Sequence, residues 1–298
     1  MNKVHFLRAT WNDCMVIESN GLFAMIDTGF EDEMGMIAPY LESIGCNKLE
    51  FILITHFHHD HYGSLGDLLR KYPVGTVYIK RYSGLDITTG GGTPATDEYR
   101  TTEMNKCNEL CDLARQVSKL VVIDENLKTV EIGDFKFDLY GTWNAVTELY
   151  ENPESPYYKE IHFGENTNSV ALFADVNGTT IYLGGDSGNE ANPYEKFDRQ
   201  NDQYARAIGR AIDLYKVPHH CCGNCLGEDA MRIFRPRYAV ATNWTDSVNG
   251  VFSANRDKLM ASNPDLTLLC SDRCGYAFTI GANGELSYEE ITPAPVEN

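Results

Sequence analysis

The chain has 298 residues, 43 % of them apolar, and a formal net charge of −18. That length can bury a sizeable core, and the apolar content excludes a disordered chain. The acidic surface disfavours nucleic acid and anionic membranes as partners, and no apolar run reaches the roughly 18 residues a membrane span needs.

In chain order, VHFLRAT (4–10), CMVIES (14–19) and LFAMID (22–27) read as short antiparallel strands, with Asn20 and Gly21 as a hairpin turn. The start, MNKVHFLRATWND, lacks the charged-then-apolar pattern of a secretion leader, so a cytoplasmic location is expected. Met34, Ile37, Leu41 and Ile44 recur at helical spacing over 31–44, closed by Gly45. LEFILIT (49–55) is a buried strand, SLGDLLRKY (64–72) a helix and VGTVYIK (74–80) a further strand. A Gly- and Thr-rich loop over 83–95 precedes a helix over 96–117. KFDLYGT (136–142) is a strand that leads into a long irregular segment, and SVALFADV (169–176) and TTIYLGG (179–185) form a hairpin on Asn177 and Gly178. A helix over about 190–212, strand 213–217, a helix over about 227–234, strand 237–242, and a last helix with two strands complete the pattern. Two sheet-rich halves with helices imply a layered α/β sandwich. No internal repeat or low-complexity linker divides the chain, so one domain over 1–298 is expected.

The nine cysteines are odd in number and form no pair of C-x-x-C motifs. Reduced thiols are expected. Cys221, Cys222 and Cys225 read more readily as buried or idle thiols than as a second metal site.

The stretch THFHHDHYG (55–63) holds four of the eight histidines together with Asp60. A lone histidine is usually a satisfied polar residue, but this density after a buried strand points to metal. His56 and His58, two apart on extended backbone, point the same way. Asp60 and His61 begin the next helix and face a second position, where Gly63 permits a tight approach. Imidazole and carboxylate suit Zn²⁺, with Mn²⁺ and Fe²⁺ as competitors. One tetrahedral site open to water cannot use all four groups, whereas two cations sharing a hydroxide can. His59 falls outside the spacing and reads as a solvent-facing or supporting residue. Asp186, in YLGGDSGN, and the pair His219 and His220, in YKVPHHCCGN, stand just past the ends of other strands. In open α/β sheets that edge is where sites lie.

THFHHDH fits H-x-H-x-D-H, and together with IDTG, Asp186 and the His219–His220 pair it resembles the metallo-β-lactamase superfamily. The resemblance implies an αββα sandwich of two mixed β-sheets flanked by helices. It also implies that Asp27 braces the metal loop, that Asp186 bridges two cations and that the histidine pair supplies the last ligand. VYIKRYSGLDI, NTNSVALFADVNGTTIYLGGDSGN and DLYKVPHH are similar to two subgroups. One is the phosphorylcholine esterase domain of Gram-positive cell-wall enzymes, the nearer of the two. The other is the hydrolase domain attached to bacterial DNA-uptake channels. In these subgroups Asn168 stands where other members have a third-motif histidine, and His162 is a candidate replacement. The implied first metal has His56, His58, Asp186 and water; the implied second has Asp60, His61, Asp186 and His220. His220 is preferred to His219 as ligand, which leaves His219 to contact substrate or support a ligand. Cys221 and Cys222 depart from the glycine and serine of the DNA-uptake domains, and no choline-binding repeat is present.

The implied activity is a binuclear hydrolase that uses a metal-bridging hydroxide, with Asp60 orienting the nucleophile and handling its proton. A phosphoester, as phosphodiester or phosphorylcholine ester, is the first expectation for a small anionic substrate. Carboxylic esters, lactones or thioesters on the same metal pair are the alternative, and a non-hydrolytic metal-binding protein is the reading of another class. Tyr82, Trp143, Tyr150, Tyr157 and Tyr158 are candidates for an aromatic rim that holds a quaternary amine, though ordinary loop packing is the simpler expectation.

Overall fold

A computed structural model describes residues 1–89, 91–160 and 164–291. In chain order the strands are β1 (Asn2–Phe6), β2 (Cys14–Ser19), β3 (Leu22–Thr28), β4 (Leu49–Ile54), β5 (Val74–Ile79), β6 (Lys119–Val122), β7 (Thr129–Ile132), β8 (Phe135–Tyr140), β9 (Ala171–Val176), β10 (Thr179–Leu183), β11 (Leu214–Lys216), β12 (Tyr238–Ala241), β13 (Thr267–Cys270), β14 (Gly275–Ile280) and β15 (Leu286–Ile291). The helices are α1 (Met34–Ser43), α2 (His59–Tyr62), α3 (Leu65–Lys71), α4 (Asp97–Val117), α5 (Gln200–Ile208), α6 (Glu228–Phe234), α7 (Thr245–Asn249) and α8 (Ser253–Ser262).

Two mixed sheets result, in the orders β15-β14-β1-β2-β3-β4-β5-β6 and β13-β12-β11-β10-β9-β8-β7. Alternation along each strand sends one set of side chains between the sheets. Phe6, Ile17, Ile26 and Leu53 from the first meet Phe137, Leu172, Ile181 and Leu214 from the second. The opposite set lies under helices. Ile52, Ile54 and Val77 pack beneath α1, α3 and α4, while Tyr182, Tyr215 and Ala239 pack beneath α5, α6 and α8. Both faces of β4 and β11 are therefore covered, which is why LEFILI and LYK are almost wholly buried. The layers are the expected αββα.

Both predicted hairpin turns form. Asn20 and Asn177 have φ of 54°, followed by Gly21 and Gly178 at 80° and 87°, the left-handed pair that a two-residue turn between twisted strands requires. Strand β1 ends at Phe6, before the predicted Thr10, because the chain leaves the ladder. Leu7 N–H still donates to Cys14 O, but Ala9 N–H donates to Ser271 O and Trp11 N–H to Thr242 O. Strands β6 and β7 escaped prediction. They are four-residue edge strands of their sheets: β6 has no buried face, and β7 alternates but is too short to stand out. The helix expected over 190–212 shrinks to α5, preceded by Arg199 and closed by Gly209 in left-handed conformations. The closing segment holds two helices and three strands where one helix and two strands were expected.

Parallel pairing runs through β3-β4-β5-β6 and β10-β11-β12-β13. The carboxyl ends of β4, β10, β11 and β12 are followed by His56, Asp186, His220 and Thr242, and Asp27 lies in the last turn of β3. The fold thus delivers the chemistry-bearing residues to one edge. Among the described residues, no helix is long and apolar enough to cross a membrane.

Candidate metal centre

Each of the four candidate histidines has one ring nitrogen tied to an oxygen acceptor and the other pointing inward. His61 Nδ1 lies 2.8 Å from Asp27 Oδ2, and Asp27 also accepts from Thr55 N–H (2.8 Å) and Thr55 Oγ1 (2.7 Å). Since Thr55 Oγ1 donates to Asp27, it accepts from His56 Nδ1 at 3.3 Å. His58 Nε2 donates to Asp86 Oδ2 at 3.0 Å. His220 Nδ1 donates to Thr242 Oγ1 at 2.9 Å, and that hydroxyl passes its own proton to Asp13 Oδ1 at 2.7 Å. This outer ring fixes the tautomers, leaving His56 Nε2, His58 Nδ1, His61 Nε2 and His220 Nε2 as the inward donors.

The inward atoms gather around Asp186. Its Oδ2 lies 3.3 Å from His61 Nε2, 3.3 Å from His220 Nε2 and 3.9 Å from His56 Nε2. Asp60 Oδ2 is 3.3 Å from His220 Nε2 and 3.6 Å from His61 Nε2. His56 Nε2 and His58 Nδ1 are 3.1 Å apart. Metal bonds of about 2.1 Å in tetrahedral array put neighbouring ligand atoms about 3.4 Å apart, so these spacings fit a cation. Asp60, His61, Asp186 and His220 offer ligand atoms that all lie within 4.8 Å of one another. His56 Nε2 adjoins this set through Asp186 Oδ2, and His58 Nδ1 lies next to His56 Nε2 rather than against Asp186. Asp60 Oδ1, Asp186 Oδ1, His61 Nε2 and His220 Nε2 are buried polar atoms without a hydrogen-bond partner. Groups of this kind persist in a fold when a metal satisfies them.

Charge gives an independent measure. Asp13, Asp27, Asp60, Asp86 and Asp186 are all buried in or directly behind the histidine cluster, against one buried ammonium, Lys216. The deficit of four positive charges is what two divalent cations would cancel. Lys80 and Glu165, also buried, attract each other; burial lowers the lysine to about 7 and raises the carboxyl to about 7, so the pair is neutral overall in either state.

Without cations, protons do the balancing. Burial works against charge on His61, but the Asp186, Asp60 and Asp27 carboxylates lift it well above the ordinary histidine range. His220 is lifted likewise, against its burial, by Asp186 and Asp13. Burial is opposed at His58 by the hydrogen bond to Asp86, which raises it to about 8. At His56 burial and the neighbouring His61 prevail, and the ring is held neutral. Asp60 and Asp186, although buried, are held below the usual carboxylate range by His61 and His220.

The loop carrying the motif is fixed by close backbone packing. Gly63 N–H donates to Gly29 O, and a Cβ on Gly63 would lie 2.4 Å from Glu31 N and Phe30 C. Gly63→Ala is expected to cost about 1–3 kcal/mol by forcing these backbones apart, read as a lower urea midpoint.

His220 is inside the cluster and His219 is beside it. Both adopt left-handed backbone, with φ of 50° and 48°, which turns the two rings in different directions. His219 Nε2 bonds the Asn166 side-chain amide at 2.9 Å, and burial holds its ring neutral, down to about 4. Asn168 lies outside the ligand atoms, donating to Arg81 O and Glu165 Oε1. His162 lies outside the described residues. His59 is exposed, its ring 5.4 Å from Phe30.

Four of the five candidate rim residues pack on neighbours outside the cluster. Tyr82 is buried against Phe57, Trp143 packs on Phe197 and Tyr204, and Lys159 covers the rings of Tyr150 and Tyr158. The aromatic side chains beside His220 are instead Trp11, whose ring lies 6.4 Å away, with Trp244 and Phe252 against it. Sequence reasoning missed these, and also Asp13, Asp86 and Lys216. Lys216 carried a legible signal, a charge inside the buried strand LYK; the two aspartates sit in loops and carried none.

Residues 12–145 match the metallo-β-lactamase superfamily. Over 145 residues the chain is 26 % identical to Endoribonuclease YSH1 of Yarrowia lipolytica, covering 45 % of this chain and 16 % of that protein. Over 191 residues it is 21 % identical to Endoribonuclease YSH1 of Candida albicans, covering 60 % of this chain and 19 % of that protein. It therefore spans less than a fifth of the length of these curated relatives. The metallo-β-lactamase fold protein YhfI from Bacillus subtilis matches with a TM-score of 0.53 at 9 % identity, over 97 % of this chain and 100 % of that one. The chain has the metallo-β-lactamase fold, and the stretch that matches the metallo-β-lactamase superfamily, residues 12–145, includes the motif at 56–61.

Proposed function

We propose that residues 1–298 form one binuclear metal-dependent hydrolase domain that cleaves a phosphoester of a small molecule, a phosphodiester or an ester of the phosphorylcholine type. The observation that carries this reading is the convergence of the His56, His61 and His220 ring nitrogens on one oxygen, Asp186 Oδ2. His56, His58 and Asp186 would hold one cation, and Asp60, His61, Asp186 and His220 the other, with Zn²⁺ the first expectation. Bound there, the pair would supply Lewis acidity toward an ester oxygen and a water acidified toward neutral pH.

The residues do the rest. Asp60 keeps its Oδ1 free of protein partners, so it can accept a proton at that atom while Oδ2 faces His61 and His220. Asp27, Thr55, Asp86 and the Thr242–Asp13 relay hold the four rings in the donor tautomer. His219 and the Asn166 amide present neutral hydrogen-bonding groups beside the centre and orient the substrate. The net charge of −18 favours a small substrate over a polyanion. The curated relatives are named as endoribonucleases, which supports phosphodiester chemistry as the class of bond.

The neutrality of the His219–Asn166 side also suits an uncharged acyl group, which favours a second reading: hydrolysis of a carboxylic ester, lactone or thioester. Zinc- or manganese-loaded protein assayed on bis-nitrophenyl phosphate, nitrophenyl phosphorylcholine and a lactone separates the two. Turnover confined to the lactone would move the assignment to the second. About two metals per chain by elemental analysis with no turnover would favour a non-hydrolytic metal-binding protein. The paired histidines give a further test. His220→Ala is expected to lose bound metal. His219→Ala is expected to keep it while kcat/KM falls about tenfold, the worth of one hydrogen bond. The reverse pattern in metal content would exchange their roles.

A further inference from the structure

We propose that Lys216 is a positioning residue that dedicates one oxygen of Asp186 to both metal positions; this rests on the two-metal reading. Lys216 is fully buried in β11, between apolar neighbours. A buried ammonium is costly unless every contact is favourable, and here each contact bears on the centre. Its Nζ donates to Gly185 O at 2.8 Å, pairs with Asp13 Oδ2 and lies 3.7 Å from Asp186 Oδ1.

Gly185 is the residue before Asp186. It sits at φ 51°, and a Cβ there would lie 2.4 Å from Ser169 Oγ. That same Ser169 oxygen accepts the Asp186 N–H at 2.9 Å. The peptide that aims Asp186 is thus held by the ammonium on one side and by Ser169 on the other. At the carboxylate, Oδ1 faces Lys216 while Oδ2 faces the nitrogens of His56, His61 and His220. Without the ammonium nothing would hold Oδ1 to one side, and the carboxylate would be free to turn both oxygens toward one cation. With it, Oδ2 alone would be offered to both positions. Lys216 also anchors Asp13, whose Oδ1 holds the Thr242 hydroxyl that fixes His220. One cation inside the strand therefore ties the bridging carboxylate to the brace of the last histidine.

Manganese loading followed by electron paramagnetic resonance tests this without any substrate. Wild type should bind about two Mn²⁺ and give the multiline signal of an exchange-coupled pair. A wild type that binds one, or two uncoupled, overturns the two-metal reading and this inference with it, before any variant is compared. Lys216→Met should bind Mn²⁺ about ten- to a hundredfold more weakly, the usual cost of losing a group that orients ligands, and should lose the coupled signal at full loading. Removing the buried pair together, as Asp13→Asn with Lys216→Met, avoids a stranded carboxylate and should fold as wild type while also losing the coupled signal. Asp13→Asn alone should keep it. A coupled signal and wild-type affinity in the double variant would overturn the proposal. Failure of both Lys216 variants to fold would do the same, by assigning the lysine to the fold rather than to the metal geometry.

Discussion

Asp60→Asn is expected to lower kcat about 10²- to 10⁴-fold at saturating metal, the range for removing a positioned proton acceptor, while Tm moves by no more than about 3 °C. The substitution preserves the volume of the side chain, so the packing of α2 is untouched. It replaces a carboxylate that burial should have kept neutral, but that His61 and His220 hold ionised, by an amide that cannot take a proton. Saturating metal is essential to the measurement, because Asp60 is also one of four donors to the second position. Affinity and catalysis then separate: a variant whose rate recovers with added metal has lost only a ligand, and one whose rate stays low has lost the proton acceptor. Full turnover in metal-loaded Asp60→Asn would end the role assigned to this residue.

The inner residues of the centre were legible in the sequence because they obey local rules. His56 and His58 share a side of extended backbone, and Asp60 and His61 ride on the short helix that follows. Asp186 and His220 were legible because strand ends are easy to place when the strands are buried and apolar. The sandwich followed from the same alternation, strengthened by two Asn-Gly turns that form as read. What stayed hidden is whatever depends on distance in space rather than in sequence. Asp13 and Thr242 are 229 residues apart and meet at 2.7 Å; Asp86 reaches His58 across 28 residues from a loop of no regular pattern. Trp11 is brought beside His220 only because the chain leaves the β1 ladder. The edge strands β6 and β7 were missed for a related reason: half-exposed on a rim, their identity comes from the neighbour they pair with, not from their own composition.

Chelation is expected to lower Tm, and to lower it more at alkaline than at mildly acidic pH. Bound cations at about a thousand times their dissociation constant stabilise by about 4 kcal/mol, near 10 °C for a chain of this size. In metal-free protein the five aspartates of the centre are offset by Lys216 and by protons on His58, His61 and His220. All three rings are raised above 6.5, their ordinary value, His58 to about 8. A base whose folded-state value is raised lends stability that is complete below its unfolded value and is lost as pH climbs through the folded one. The metal-free protein therefore weakens from about pH 6.5 upward, by up to about 1.4 kcal/mol per pH unit for each ring. His56 is shifted the other way and held neutral; as a ligand it would be neutral with the cation too, so its contribution cancels in the difference. With cations present the histidines are already deprotonated and the carboxylates are balanced by metal, so that loss does not occur. The buried thiols Cys222 and Cys225 are pushed up by burial, so neither loses its proton in this window. Calorimetry near pH 6 and near pH 8.5, with and without chelator, reads the gap directly. A gap that narrows with rising pH would mean that protons on these histidines are not what stands in for the metal.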